Sequence, residues 1–118
     1  MQLEINGITF YVEVANTFFA RTKGLMGRKS LKAGTAMVIY PCFSIHTCFM
    51  RFSIDVVFLD KDGFVLRIIK NMKPYRVSPF VKGSYYVVEM LGGELPEEIK
   101  VGQKIELEVG RGGCQCLT

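Results

Sequence analysis

The run Ile54-Asp-Val-Val-Phe-Leu59, followed at once by Asp60-Lys-Asp-Gly63 and then by Phe64 to Ile69, constrains this chain more than any other stretch. Two apolar runs of strand length, joined by a turn with glycine at its left-handed position, specify an antiparallel hairpin, because glycine takes that conformation without steric cost. A second hairpin signature opens the chain. Asn6-Gly7 supplies the two positive-φ positions of a type I′ turn, while Leu3 and Ile5 before it and Ile8, Phe10, Val12 and Val14 after it repeat at period two. Glu4, Thr9, Tyr11 and Glu13 alternate onto the other face, as expected where one side of a pair of strands meets water.

Further strands follow the same logic. Ala36 to Tyr40 is a short apolar run stopped by Pro41, Tyr85 to Met90 is another, and Lys104 to Val109 directs Ile105, Leu107 and Val109 inward. Between the first hairpin and Ala36 the pattern changes. Asn16 or Thr17 suits a helix N-cap, Arg21 and Lys23 suit the C-terminal end, and Gly24 suits the C′ position, so a helix of about two turns is expected there. Leu25-Met26 would anchor its exit, and Pro96 would start a single helical turn over 95–99. The expected fold is therefore mainly β: a compact antiparallel β-sandwich or barrel-like single domain with one or two short helices. Residues 1–109 would form the domain and 110–118 a flexible Gly/Cys tail.

Composition narrows the function classes. A chain of 118 residues that is 49% hydrophobic and 22% charged carries enough apolar surface for one core, which excludes a disordered chain. The net charge of +4 is too small to imply nucleic acid by itself. Two segments are nevertheless basic: Arg21 to Lys32 holds no acid, and Lys61 to Lys82 holds Asp62 alone. No apolar stretch approaches the roughly 20 residues that span a bilayer, and the first residues lack the design of a signal peptide. A cytoplasmic protein with no transmembrane segment is the expectation.

Two longer segments carry a resemblance. Arg21-Thr-Lys-Gly-Leu-Met-Gly-Arg28 is followed by His46-Thr-Cys-Phe-Met-Arg-Phe-Ser-Ile-Asp-Val-Val-Phe-Leu-Asp60 with Asp62-Gly63, by Val88-Glu-Met with Gly92, and by Val101-Gly-Gln-Lys-Ile105. In this order they resemble the bacterial and archaeal family called domain of unknown function 192, over about residues 15 to 107. The resemblance implies a compact, mostly β, sandwich-like domain. It implies no activity and no cofactor.

The polar residues within these segments are the candidate site. Asp55 lies inside an apolar run, so if it points inward it must be paired, hydrogen-bonded to backbone donors, or protonated. His46, the only histidine, can be set against Asp55 as the orienting half of an acid–base pair, with Ser44, Thr47 or Cys48 as nucleophile. That gives a hydrolase as the alternative function. A lone histidine is more often a hydrogen-bonded structural residue, and no nucleophile elbow accompanies it. Arg28, His46, Thr47, Met50, Arg51, Asp55 and Glu89 are the candidate ligand-binding residues, arginine offering a planar fork for a carboxylate or phosphate. The same arginines can equally pin loops to the sheet. Cys42, His46, Cys48, Cys114 and Cys116 are candidates for a metal or redox site, although Cys-x3-His-x-Cys and Cys-x-Cys are not the usual zinc spacings. Nucleic-acid binding through the basic loops near Tyr75, Phe80, Tyr85 and Tyr86 ranks last. The leading reading is a non-enzymatic binding or accessory domain that holds a small polar ligand or a protein partner at the 44–55 loop.

Overall fold

The structure is a computed structural model that describes residues 2–17, 27–28 and 31–107. Among these residues there are six strands and no helix: β1 (Gln2–Ile5), β2 (Ile8–Ala15), β3 (Thr35–Ile39), β4 (Ile54–Leu59), β5 (Val65–Met72) and β6 (Tyr86–Leu91). They form one sheet in the order β1-β2-β3-β6-β4-β5. The expected mainly β, single-domain class holds. The helix expected after Asn16, its Leu25-Met26 anchor and the 110–118 tail lie outside the described residues. In place of the helical turn expected at 95–99 the chain makes a non-helical turn, closed by the Ile99 N–H donating to the Pro96 carbonyl at 3.3 Å.

Both hairpins form where turn chemistry puts them. Asn6 and Gly7 take φ values of 49° and 86° between β1 and β2, and Gly63 takes 94° between β4 and β5. One pairing departs from the antiparallel expectation: β2 and β3 run parallel, with Val12 opposite Ala36 and Val14 opposite Val38. The connection through residues 16–34 is longer than the dozen or so residues a parallel crossover needs, which is what permits it. The sheet is mixed for this reason.

Alternation along the strands separates two cores. Leu3, Phe10, Val38, Val57, Leu59, Val88 and Met90 belong to the first, with Leu95 and Ile105 from the C-terminal segment. Met37, Ile39, Ile54, Val56, Phe58 and Val87 belong to the second, where Leu31, Ile45, Met50 and Val81 cover them. All six residues of β4 are buried because it is covered on both faces. Hence its sequence, apart from Asp55, reads as an apolar run and not as an alternating one.

The sheet curls around the first core, and one short segment spans its two edges. Lys104 bridges to Phe64 beside β5, and Leu107 bridges to Leu3 in β1. Val65 donates to the Gln103 carbonyl at 2.8 Å and Ile105 to the Gly63 carbonyl at 2.9 Å. Gln103 Nε2 also donates to the Asn6 side chain in the first turn. The result is a half-barrel, with residues 104–107 as the tie between strands that are otherwise the sheet's ends.

Gly63 is the position where this closure is least tolerant. A Cβ there would lie 2.5 Å from the Ile105 carbonyl oxygen, and φ is positive as well. Gly63→Ala is expected to cost roughly 2 kcal/mol or more, since backbone must give way and the residue must hold a left-handed conformation. Urea unfolding of the variant measures this, and a loss within error of zero would contradict the tight contact.

Candidate functional site

The loop before β4 is paired with the loop after β5. Thr47 N–H donates to the Arg76 carbonyl at 2.8 Å, Ser78 N–H to Ile45 at 2.8 Å, and Val81 N–H to Phe43 at 2.8 Å. His46 and Val77 form an antiparallel bridge between them. Thr47 locks this ribbon: it is fully buried, its hydroxyl donates to the Lys73 carbonyl at 2.6 Å and accepts from the Arg76 N–H at 2.8 Å. Its hydroxyl is therefore committed to the backbone. Met50 is buried in the second core, while His46 and Arg51 are exposed.

Asp55 is buried on the face of the first core, and its carboxyl group is spent on three backbone donors. Oδ1 accepts from the Asn71 N–H at 2.8 Å, and Oδ2 accepts from Gly93 and Leu95 N–H groups, each at 3.0 Å. The sequence places His46 nine residues away, yet the two side chains do not engage each other. His46 Nδ1 accepts from the Cys48 N–H at 3.1 Å.

Glu89 lies on the opposite face. It pairs with Val56 in β4 and Met37 in β3, whereas Asp55 pairs with Met90, so strand alternation sends the two carboxyl groups to different cores. Glu89 is 3% exposed, and burial pushes its carboxyl up to about 8. Among the described residues its carboxyl has no hydrogen-bond partner. Every described side-chain nitrogen or oxygen that is sealed from solvent does have one. The Glu89 oxygens are thus not fully sealed from solvent.

Arg28 completes that face from the crossover. Its guanidinium grips Glu13 of β2 with two hydrogen bonds, at 2.7 and 3.1 Å. The hydrogen bonds hold the Glu13 carboxyl below its ordinary range against a smaller upward push from burial, and they raise Arg28 in return. Glu13, Met37, Glu89 and Val56 form one row across β2, β3, β6 and β4. With strands about 4.8 Å apart, the Glu13–Arg28 pair stands roughly 10 Å along that row from Glu89. Of the candidate ligand-binding residues, Arg28, Met50 and Glu89 share this face; Asp55 does not.

Cys42 and Cys48 are in no disulfide. The Cys42 thiol donates to the Ser44 carbonyl at 3.2 Å. Among the described residues no group of three or more histidine, cysteine, aspartate or glutamate side chains converges to hold a metal ion. Cys114 and Cys116 lie outside the described residues. The four aromatic residues considered with the basic loops separate: Tyr75 and Phe80 are exposed, while Tyr85 and Tyr86 stack with Tyr40 against the first core. Sequence reasoning missed Phe43 and Phe49, which stand beside Phe80 and Tyr75, and it missed Glu13 as the partner of Arg28. The aromatic signal was present as two phenylalanines in a stretch without acids; Glu13 looked like one more solvent-facing residue of β2.

The sequence profile of the family DUF192, described as an uncharacterized ACR, matches residues 1–107. The chain is similar to a UPF0127 protein of Thermococcus sibiricus, 33% identical over 104 residues that make up 83% of this chain and 66% of the relative. It thus spans just under two thirds of that relative's length. It is also similar to a UPF0127 protein of Pyrococcus abyssi, 33% identical over 102 residues, or 80% of this chain and 84% of the relative. Among solved structures, a protein of unknown function from Novosphingobium aromaticivorans superposes with a TM-score of 0.78 at 27% identity, covering 90% of this chain and 82% of that one.

The two carboxyl groups differ in what their loss should do. Asp55→Ala strands three backbone donors in the first core and is expected to cost roughly 3–5 kcal/mol, read by urea unfolding. A loss below about 1 kcal/mol would mean those donors find other partners. Glu89 acts in the opposite sense. Between its ordinary 4.5 and about 8 the folded chain keeps a proton that the unfolded chain has lost, so stability falls as pH rises, by roughly 3 kcal/mol from pH 5 to pH 8. Glu89→Leu should flatten that part of the pH profile, and a profile unchanged by the substitution would exclude a raised Glu89.

Proposed function

The chain belongs to the DUF192 family, a family defined by its sequence and not by an activity, and we propose that it is a non-catalytic binding domain that holds a small polar ligand against Glu89. Ile45 and Met50 of the 44–55 loop pack in the second core, and the Arg28–Glu13 pair stands at the crossover side. One observation carries this reading: a carboxyl group buried to 3% exposure, without a partner among the described residues and not sealed from solvent. A buried polar group without a hydrogen bond costs about 1–3 kcal/mol, and a ligand that supplies the bond recovers that cost on binding.

The ligand's chemistry follows from the state of Glu89. A carboxyl that keeps its proton at neutral pH offers one O–H donor and one acceptor oxygen. Its complement is a neutral group with one donor and one acceptor side by side, as in a primary amide or a carboxylic acid. Met37 and Val56 beside it favour a ligand whose remainder is apolar. The reading is non-catalytic because His46 and Asp55, the groups general acid–base chemistry would need, are engaged separately. The same proposal takes residues 1–109 as the binding domain, with 110–118 outside it. It places the protein in the cytoplasm, where Cys42 and Cys48 remain thiols.

A thermal-shift screen of small primary amides, carboxylic acids and amines below pH 7 tests this. At a hundred times its Kd a ligand stabilises by about 2.7 kcal/mol, which for a domain of this size raises Tm by roughly 8 °C or more. Amides or acids should stabilise the wild type, Glu89→Gln should keep part of the gain, and Glu89→Leu should lose it. No gain with either class, or an equal gain in Glu89→Leu, would overturn the assignment.

A further inference from the structure

The 43–50 and 73–81 ribbon carries exposed apolar residues that the ligand site does not use. Among the described residues, five of the nine exposed large apolar side chains belong to it: Phe43, Phe49, Tyr75, Val77 and Phe80, ranging from 51% exposed at Phe43 to 73% at Val77. The rings come in two pairs, Phe43 with Phe80 at 4.7 Å between centroids and Phe49 with Tyr75 at 5.8 Å in an edge-on arrangement. Isolated exposed apolar residues need no explanation, but this concentration on one ribbon does.

Backbone conformation adds an independent observation. Phe49 and Tyr75 have φ values of 64° and 62°. For bulky L-residues the left-handed region is costly, and such outliers collect where a side chain must be presented in a particular direction. Tyr75 is tied within the ribbon, its N–H donating to the Thr47 carbonyl at 2.9 Å, and Phe49 is tied to the crossover, its carbonyl accepting from Gly27 N–H at 2.9 Å. The structure sustains the conformation and gains no buried ring from it.

Charge selects the partner. Residues 41–53 and 73–84 contain no aspartate or glutamate, and their charged residues are Arg51, Lys73, Arg76 and Lys82, all exposed. Exposed aromatic rings and exposed cations carried by the same acid-free segments complement a negatively charged surface that yields to apolar groups. An anionic bilayer does both: rings settle at the headgroup level while Lys and Arg meet phosphates. Nucleic acid fits less well, since stacking needs open ring faces and these rings are turned against each other, with aliphatic Val77 among them. We propose that this ribbon docks the protein on an anionic lipid surface, with Phe43, Phe49, Tyr75 and Phe80 entering the headgroup region and Arg51, Lys73, Arg76 and Lys82 contacting lipid phosphates.

Co-sedimentation of the full chain with vesicles tests the proposal, using phosphatidylcholine alone and phosphatidylcholine with one third phosphatidylglycerol. Binding should appear on the anionic vesicles only and weaken with salt. The double variant Phe49→Gly/Tyr75→Gly relieves two left-handed positions, so it should hold its Tm while losing at least tenfold in vesicle affinity. Phe80→Ser provides the same reading if that double variant fails to fold. Arg76→Gln/Lys82→Gln should also lose about tenfold. No partitioning, or partitioning that survives removal of the rings, overturns the proposal. So does ring-dependent binding to an acidic leucine-containing peptide or to single-stranded oligothymidine in place of vesicles, which would assign the surface to a protein or nucleic-acid partner.

Discussion

The Asp55 carboxyl group is the point on which the sheet depends. Opposite it, β5 carries an extra residue: Ile54 pairs with Met72 but Val56 pairs with Ile69. Such a bulge leaves a backbone N–H facing no strand carbonyl. Asn71, at φ 53°, is in the bulge, and its N–H is the one that Oδ1 of Asp55 accepts. The other oxygen takes Gly93 and Leu95, at the turn where the chain leaves β6. A single carboxyl thus satisfies three donors from two separate parts of the backbone that no ladder could reach. Nearby, Gly92 N–H donates to the Ser53 carbonyl at 2.9 Å, so the entry to β4 and the exit from β6 are tied twice.

Glu89 shows what the same functional group does without such partners. The two residues lie on neighbouring strands, one residue out of phase, and that phase sends them to opposite faces. Asp55 is a fastener within the first core. Glu89 faces the second core, where desolvation alone governs it and its ordinary value of 4.5 moves to about 8. A protein with no use for a polar group there would be better served by an aliphatic residue, because packing against Met37 and Val56 needs none.

Much of the fold was legible because its signals are local. Asn6-Gly7 and Asp60 to Gly63 declare their turns, and the largely apolar run of β4 declares a strand. The parallel pairing of β2 with β3 was not legible, since no residue near either strand records which neighbour it will meet across a connection of that length. The site was legible by residue type and not by arrangement. Asp55 stood out as a buried carboxyl, but its partners are 16, 38 and 40 residues away, so its role could not be read from its surroundings. Nearness in sequence suggested a His46–Asp55 pair; the Asp55 carboxyl is committed to backbone donors, and His46 Nδ1 accepts from the Cys48 N–H instead. The family resemblance read from the Arg21 to Arg28 and His46 to Asp60 segments holds over residues 1–107.

The tie made by residues 104–107 has a meaning beyond closing the half-barrel. Strands β1 and β5 are the sheet's edges, and an open edge offers unpaired N–H and C=O groups to any other extended chain. The bridges at Leu3 and Phe64 occupy part of both edges with one segment of the same molecule. Exposed Arg67 and Lys70 place charge along the rest of β5. The segment therefore leaves less of either edge open to pairing with another extended chain.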